Sequence, residues 1–139
     1  MPARTPPAPQ TTAATPRKSE SKQRSIGLAS EAAVRSWLEA RGLEVLGCNV
    51  RVNYLEIDLL VRDGRTLALV EVRTRGNTSW TSAFGSVDGW KRTRLRRAGE
   101  RLWRRRFKFS TEIDHVRYDV AAVRWVEGVP VVEYVKAAF

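Results

Sequence analysis

The chain has only one cysteine, one histidine and one methionine in 139 residues. A lone Cys48 rules out an intrachain disulfide and any cysteine-cluster zinc site, and it suits a reducing compartment. It is expected to be a small buried residue near a strand. A lone His115 gives no basis for a histidine-rich metal site and little for a Ser/His/Asp triad; a loop or strand end is its expected place. Apolar runs are short, and none approaches the ~18 residues that a membrane-spanning helix needs. The opening stretch MPARTPPAPQTTAATPRKSE has no apolar segment of the secretory kind. The expected setting is cytoplasmic, with no membrane partner. Five of the six prolines fall within residues 1–24, among Ser, Thr and Ala and without apolar periodicity. That composition predicts a disordered, basic, proline-rich tail over 1–24, followed by one domain over 25–139.

Net charge is +10, and its distribution says more than its size. In residues 1–24, Arg4, Arg17, Lys18, Lys22 and Arg24 stand against Glu20, a balance of +4. In residues 91–108, ten basic residues stand against Glu100, a balance of +9, which leaves −3 for the rest. Positive charge gathered into one tail and one helix fits a polyanion, and a nucleic-acid backbone is the commonest one. A basic helix that is merely solvated is the alternative.

From Ser25 onward the spacing of Ala33, Val34, Trp37, Leu38 and Ala40 predicts a helix, stopped at Gly42. Leu43 to Val52 and Leu55 to Val61 read as strands, with a tight turn at Asp63-Gly64 and a returning strand over Leu67 to Thr74. Residues 75–85 read as a loop, Val87 to Arg106 as a second helix, and 116–126 and 129–135 as strands joined by Glu127-Gly128. The predicted architecture is α/β, a single domain with a mixed sheet of about five strands flanked by two main helices.

A two-residue Asp63-Gly64 turn would set Glu56 opposite Glu71 and Asp58 opposite Leu69. Alternation then places Glu56, Asp58, Glu71 and Arg73 on one face, with Asp58 diagonal to Glu71. The other face, from Leu55, Ile57, Leu59 and Val61 to Ala68, Val70 and Val72, is the expected core. Facing carboxylates ~5 Å apart repel by about 3 kcal/mol at an effective dielectric of ~20. A hard divalent cation, Mg²⁺ or Mn²⁺, would offset this, and so would Arg73 and its neighbours acting without a metal. At about 100° per residue, Val87, Leu95, Ala98 and Leu102 form one apolar stripe on the second helix, with Lys91 in its middle. Such a lysine must snorkel or meet a carboxylate under the helix. Arg92, Arg96 and Arg97 lie off the stripe, free to face solvent or phosphate. Trp90 and Trp103 are either base-stacking platforms or partial core.

Taken together, these residues resemble the YraN family of small bacterial proteins, which are similar in fold to archaeal Holliday-junction resolvases and other PD-(D/E)xK nucleases. The likeness runs from about Ile26 to Tyr134. Ser30-Glu31 stands where the family has Gly-Glu. Asn49-Val50-Arg51 and Leu55-Glu56-Ile57-Asp58-Leu59 match its Asn-x-Arg and Gly-Glu-Ile-Asp-Leu. Glu71-Val72-Arg73-Thr74-Arg75 matches Glu-Val-Lys-x-Arg; Phe84-Gly85, Val87 and Lys91 match the entry to the second helix, and Arg117-Tyr118-Asp119-Val120 a later strand.

The resemblance implies a restriction-endonuclease-like fold and a metal-dependent endonuclease acting on structured or branched DNA. Asp58, Glu71 and the Val72 carbonyl would hold Mg²⁺ or Mn²⁺, which would acidify water and screen charge on a phosphate. Glu56, Arg73 and Lys91 would complete the catalytic set, with Glu31 a supporting acid, while Arg75, Arg92, Arg96 and Arg97 would meet the nucleic acid. A homodimer is the implied assembly. Two departures stand out. Leu55 replaces a glycine, and Arg73 replaces a lysine whose role as a base arginine cannot take. The alternative function is a catalytically weak or inactive nucleic-acid-binding module on the same scaffold.

Overall fold

The structure is a computed structural model and describes residues 18–75 and 89–139. The elements are α1 (Lys18–Glu39), β1 (Glu44–Val52), β2 (Leu55–Asp63), β3 (Thr66–Arg75), α2 (Gly89–Leu102), a single π-helical turn (Trp103–Phe107), β4 (His115–Val126) and β5 (Val129–Val135). The expected loop over 75–85 and Val87 fall largely or wholly outside the described residues, as do residues 1–17 of the expected tail. Helix α1 begins at Lys18, seven residues before Ser25: beyond Pro16 no proline interrupts it, and Lys, Glu, Gln and Arg tolerate helix well. Residues 19–26 are exposed, so this extension projects from the core.

The five strands form one mixed sheet in sequential order, β1-β2-β3-β4-β5. All neighbours are antiparallel except β3 and β4, whose parallel pairing is closed by a connection that contains α2. This is the α/β arrangement predicted from the sequence. Among the described residues no helix is long and apolar enough to cross a membrane.

The sheet is buried on both faces. Val34 and Leu38 of α1 pack on Leu59, Val61, Ala68, Val70, Ala121 and Val123. Ala98 and Leu102 of α2 pack on the opposite side with Val52, Leu55, Ile57, Leu60, Leu67, Leu69 and Ile113. The expected division into one apolar and one polar face is therefore corrected. Leu60, Leu67 and Leu69 make the second face apolar, and Leu55 and Ile57 belong to it rather than with Leu59 and Val61. Each such leucine, removed from water, contributes about 2 kcal/mol.

The change of face occurs at Asp58. In β1 the residue between the pairs Cys48↔Leu59 and Val50↔Ile57 is Asn49, at φ 49°. Asparagine tolerates this left-handed backbone better than most residues, and a local kink of this kind re-aims side chains beyond it. On the other edge of β2 the ladder to β3 stops at Leu59↔Val70.

The β2–β3 turn also differs from expectation. Asp63 pairs with Thr66, so Gly64 and Arg65 are the turn residues and the register moves by two. Gly64, at φ 60°, takes the first central position, which a type II′ turn reserves for glycine. Arg65 is drawn into the turn by Asp114, to which its Nε and Nη2 donate at 2.5 and 2.8 Å, and by the Thr111 carbonyl at 2.9 Å. Cys48 is exposed rather than buried, on the edge strand β1 and next to Asn49. His115 begins β4 and is exposed, a strand-end histidine as expected.

Candidate active site

A two-residue register shift conserves side-chain parity, so Asp58 and Glu71 still meet. Continuing the register from Leu59↔Val70 sets Asp58 across from Glu71, rather than diagonal to it. Both line a cleft of about 190 Å³ together with Leu55, Glu56, Lys91, Arg94 and Leu95. Glu71 is 3% exposed, an unusual environment for a carboxylate.

Each acid has its own partners. Where the β2–β3 ladder ends, the Val72 N–H donates instead to Asp58 Oδ2 at 2.9 Å. A strand residue's N–H and C=O leave on the same edge, so the Val72 carbonyl also leaves toward β2. Glu71 Oε1 is ion-paired with Lys91 Nζ from the first turn of α2, and lies 3.5 Å from Arg73 Nε. Lys91 thus resolves its place in an apolar stripe by reaching under the helix to a buried acid.

Burial, reinforced by the neighbouring charges of Glu71 and Glu31, pushes the Asp58 carboxyl up to about 7, against the opposing hydrogen bond from Val72. The Glu71 side chain lies within hydrogen-bonding reach of Asp58. Asp58 is thus poised near neutrality beside a buried acid whose partners are Lys91 and Arg73, a pattern common at functional sites.

The remaining expected residues are dispersed. Glu56 does not face Glu71; it stands exposed at the lip of the cleft, 3.6 Å from Arg51 across the β1–β2 ladder. On its far side is a groove of about 460 Å³ lined by Arg24, Glu31, Asn49 and Arg51. There Asn49 Nδ2 donates to Glu31 Oε2 at 3.0 Å, holding the α1 acid toward the irregularity at Asp58. Arg75 lies across from Arg124 at the end of β3 and lines a separate cavity with Thr74 and Trp125. Arg92 and Arg96 sit 5.6 and 5.8 Å from the Phe139 ring, on another flank of α2. Arg97 is exposed. None of these four arginines is among the residues lining the cleft. Arg94 is, and sequence reasoning missed it, although it lies three residues from Lys91 and so on a neighbouring part of the same helix face. Of the two tryptophans, Trp103 packs against the α2-side core and Trp90 is 68% exposed.

Residues 30–123, which include every residue lining the Asp58–Glu71 cleft, match the family described as "Uncharacterised protein family UPF0102". UPF0102 protein sce2912 of Sorangium cellulosum (strain So ce56) is 46% identical over 118 residues, 84% of this chain and 82% of that protein. UPF0102 protein YraN of Escherichia coli (strain SMS-3-5 / SECEC) is 39% identical over 129 residues, 93% of each chain. The chain belongs to the UPF0102 family.

Two structural features of this UPF0102 chain were not legible as a site. Ser30, fully buried where the resembled pattern has glycine, accepts hydrogen bonds from Thr74 Oγ1 at 2.7 Å and Trp125 Nε1 at 3.0 Å, and so ties α1 to β3 and β4. Asp119, the other fully buried acid, accepts from Arg117 Nε and Nη2 (2.8 and 2.9 Å), Tyr134 Oη (2.6 Å) and the Ala137 N–H (2.9 Å). Every lone pair it offers is engaged, which marks it as a brace between β4 and β5. Desolvation and the bond to Asp119 push the Tyr134 hydroxyl well above the usual range, so it stays a donor.

Proposed function

We propose that this chain is a Mg²⁺- or Mn²⁺-dependent endonuclease of restriction-endonuclease-like fold that hydrolyses phosphodiesters in structured DNA. The observation that carries this reading is the pair Asp58 and Glu71, brought into one cleft beneath Lys91 with Asp58 titrating near neutrality. A hard cation suits the donor set, because two carboxylates and the strand-edge carbonyl of Val72 offer only oxygen. Among the described residues no group of three or more His, Cys, Asp or Glu side chains stands where it could hold a metal, so the proposed set has two carboxylates and draws its third oxygen from that carbonyl. Bound there, a divalent cation supplies Lewis-acid chemistry, making water acidic enough to attack and screening charge on the phosphate.

The chain's own residues do the rest. Lys91 pairs with Glu71 and presents its positive charge to a phosphate oxygen in the cleft. Arg73 offsets charge beside Glu71, and a guanidinium does not serve as a base. Arg94 at the cleft wall holds the neighbouring phosphate. In the net reaction water adds across one P–O ester bond, and the leaving oxygen takes up a proton. DNA as substrate implies a cytoplasmic protein, and the likeness to resolvases implies a homodimer.

One observation favours a second reading, a DNA-binding module without activity: Lys91 and Arg73 together already offset the charge of Glu71. Incubating the purified chain with Mn²⁺ and duplex, flap or four-way DNA separates the two. Cleavage is expected, reduced at least ~100-fold in Asp58→Ala, the scale of losing one metal ligand or electrostatic group. Absence of cleavage, or cleavage undiminished in Asp58→Ala, overturns the enzyme reading. Salt-sensitive binding indifferent to EDTA would then support the module.

A further inference from the structure

Leu55 and Glu56 of the cleft adjoin the tip of the β1–β2 hairpin, where Tyr54 is 71% exposed. Asn53, at φ 57°, turns the chain there, and Leu55 next in sequence is buried and lines the cleft. Helix α2 and the π-helical turn after it grip this tip: the Arg101 guanidinium lies 5.8 Å from the Tyr54 ring centroid, and Arg105 Nη2 donates to Asn53 Oδ1 at 3.2 Å. Arg94 and Arg101 are seven residues apart, on one face of α2 and about 10 Å apart along its axis. That is about the axial rise of three phosphate-to-phosphate steps on one strand. Arg94 at the cleft, Arg101 beside Tyr54, and Arg105 on Asn53 thus form one basic ridge that leads from the cleft to an exposed aromatic ring.

We infer that this ridge is a stacking platform for an unpaired base, so that the substrate is DNA with a single-stranded segment next to the cleft. Guanidiniums alone would serve any duplex, since backbone phosphates are the same in each. A tyrosine ring at a hairpin tip adds something that only an unpaired base can use, because bases within a duplex already stack on their neighbours. The hydrogen bond from Arg105 to Asn53 and the cation over the ring hold the platform in place before any strand arrives. The position of the cut relative to the platform rests on the nuclease reading; the binding preference does not.

The test is fluorescence anisotropy of the full chain in EDTA, with labelled blunt duplex and the same duplex carrying a single-stranded overhang. Wild type, Tyr54→Ala and Tyr54→Trp are compared. The overhang is expected to bind more tightly than the blunt duplex. Tyr54→Ala should weaken overhang binding about 10-fold, within the range for loss of one base–aromatic stack, and leave blunt duplex within about 2-fold. Tyr54→Trp should restore the preference. Equal affinity for both DNAs, no loss in Tyr54→Ala, or an equal loss on both overturns the inference. Mn²⁺-dependent cleavage alongside any of these would spare the nuclease reading. Overhang preference without cleavage would leave the platform standing and sink the enzyme.

Discussion

Asp58→Asn is expected to raise the thermal midpoint of the metal-free protein at pH 8 while abolishing any Mn²⁺-dependent cleavage. An acid raised from 3.8 to about 7 keeps its proton in the folded state over a window in which the unfolded chain has released it. Stability therefore falls as pH rises from about 4 to about 7, and stays lowered above that. Full ionisation of Asp58 at pH 8 costs on the order of 4 kcal/mol, because each tenfold weakening of an acid corresponds to about 1.4 kcal/mol. Asparagine carries no charge and retains an oxygen for the Val72 N–H. The gain in midpoint should be several degrees at pH 8 and vanish near pH 4, as followed by thermal melts in EDTA. Mn²⁺ should raise the wild-type midpoint and leave that of Asp58→Asn nearly unmoved. A variant no more stable than wild type at pH 8 would refute the buried, charge-crowded environment given to Asp58.

The opposite outcome is expected for the other buried carboxylate. Asp119→Ala should cost about 3–5 kcal/mol, because it strips Arg117 of its principal partner and leaves Tyr134 and the Ala137 N–H without an acceptor. Arg117 retains only Asp63, whose carboxyl is held below the usual range mainly by Lys136 and then by Arg117 itself. The midpoint should fall by about 10 °C, a scale set by 2–4 °C per kcal/mol for chains near this size. Denaturant melts at pH 7 check the magnitude. Cleavage per folded molecule at low temperature should be retained, since Asp119 is not among the residues lining the Asp58–Glu71 cleft. A melt unchanged by Asp119→Ala would show the brace to be unnecessary.

The carboxylate pair was legible because side-chain alternation has a period of two, and the true register differs from the expected one by two. Lys91 was legible because a charge inside an apolar helical stripe has few places to go. The turn position was not, since it is set by Arg65 gripping Asp114 nearly fifty residues away. Nor was the change of face at Asp58, which depends on a backbone conformation of Asn49 that the sequence permits without demanding. The role of Asp119 was hidden for the same kind of reason: Tyr134 and Ala137 arrive from β5 and the segment after it. The fold class needed only local pattern, whereas the partners of each acid needed contacts between distant segments.

The reversal of side-chain direction at Asp58 has one further consequence. A residue at that point feels both helical layers at once: Glu31 of α1 from one side, and Glu71 with its α2 lysine from the other. Any sliding of one layer against the other would therefore alter the electrostatic balance at this one oxygen pair.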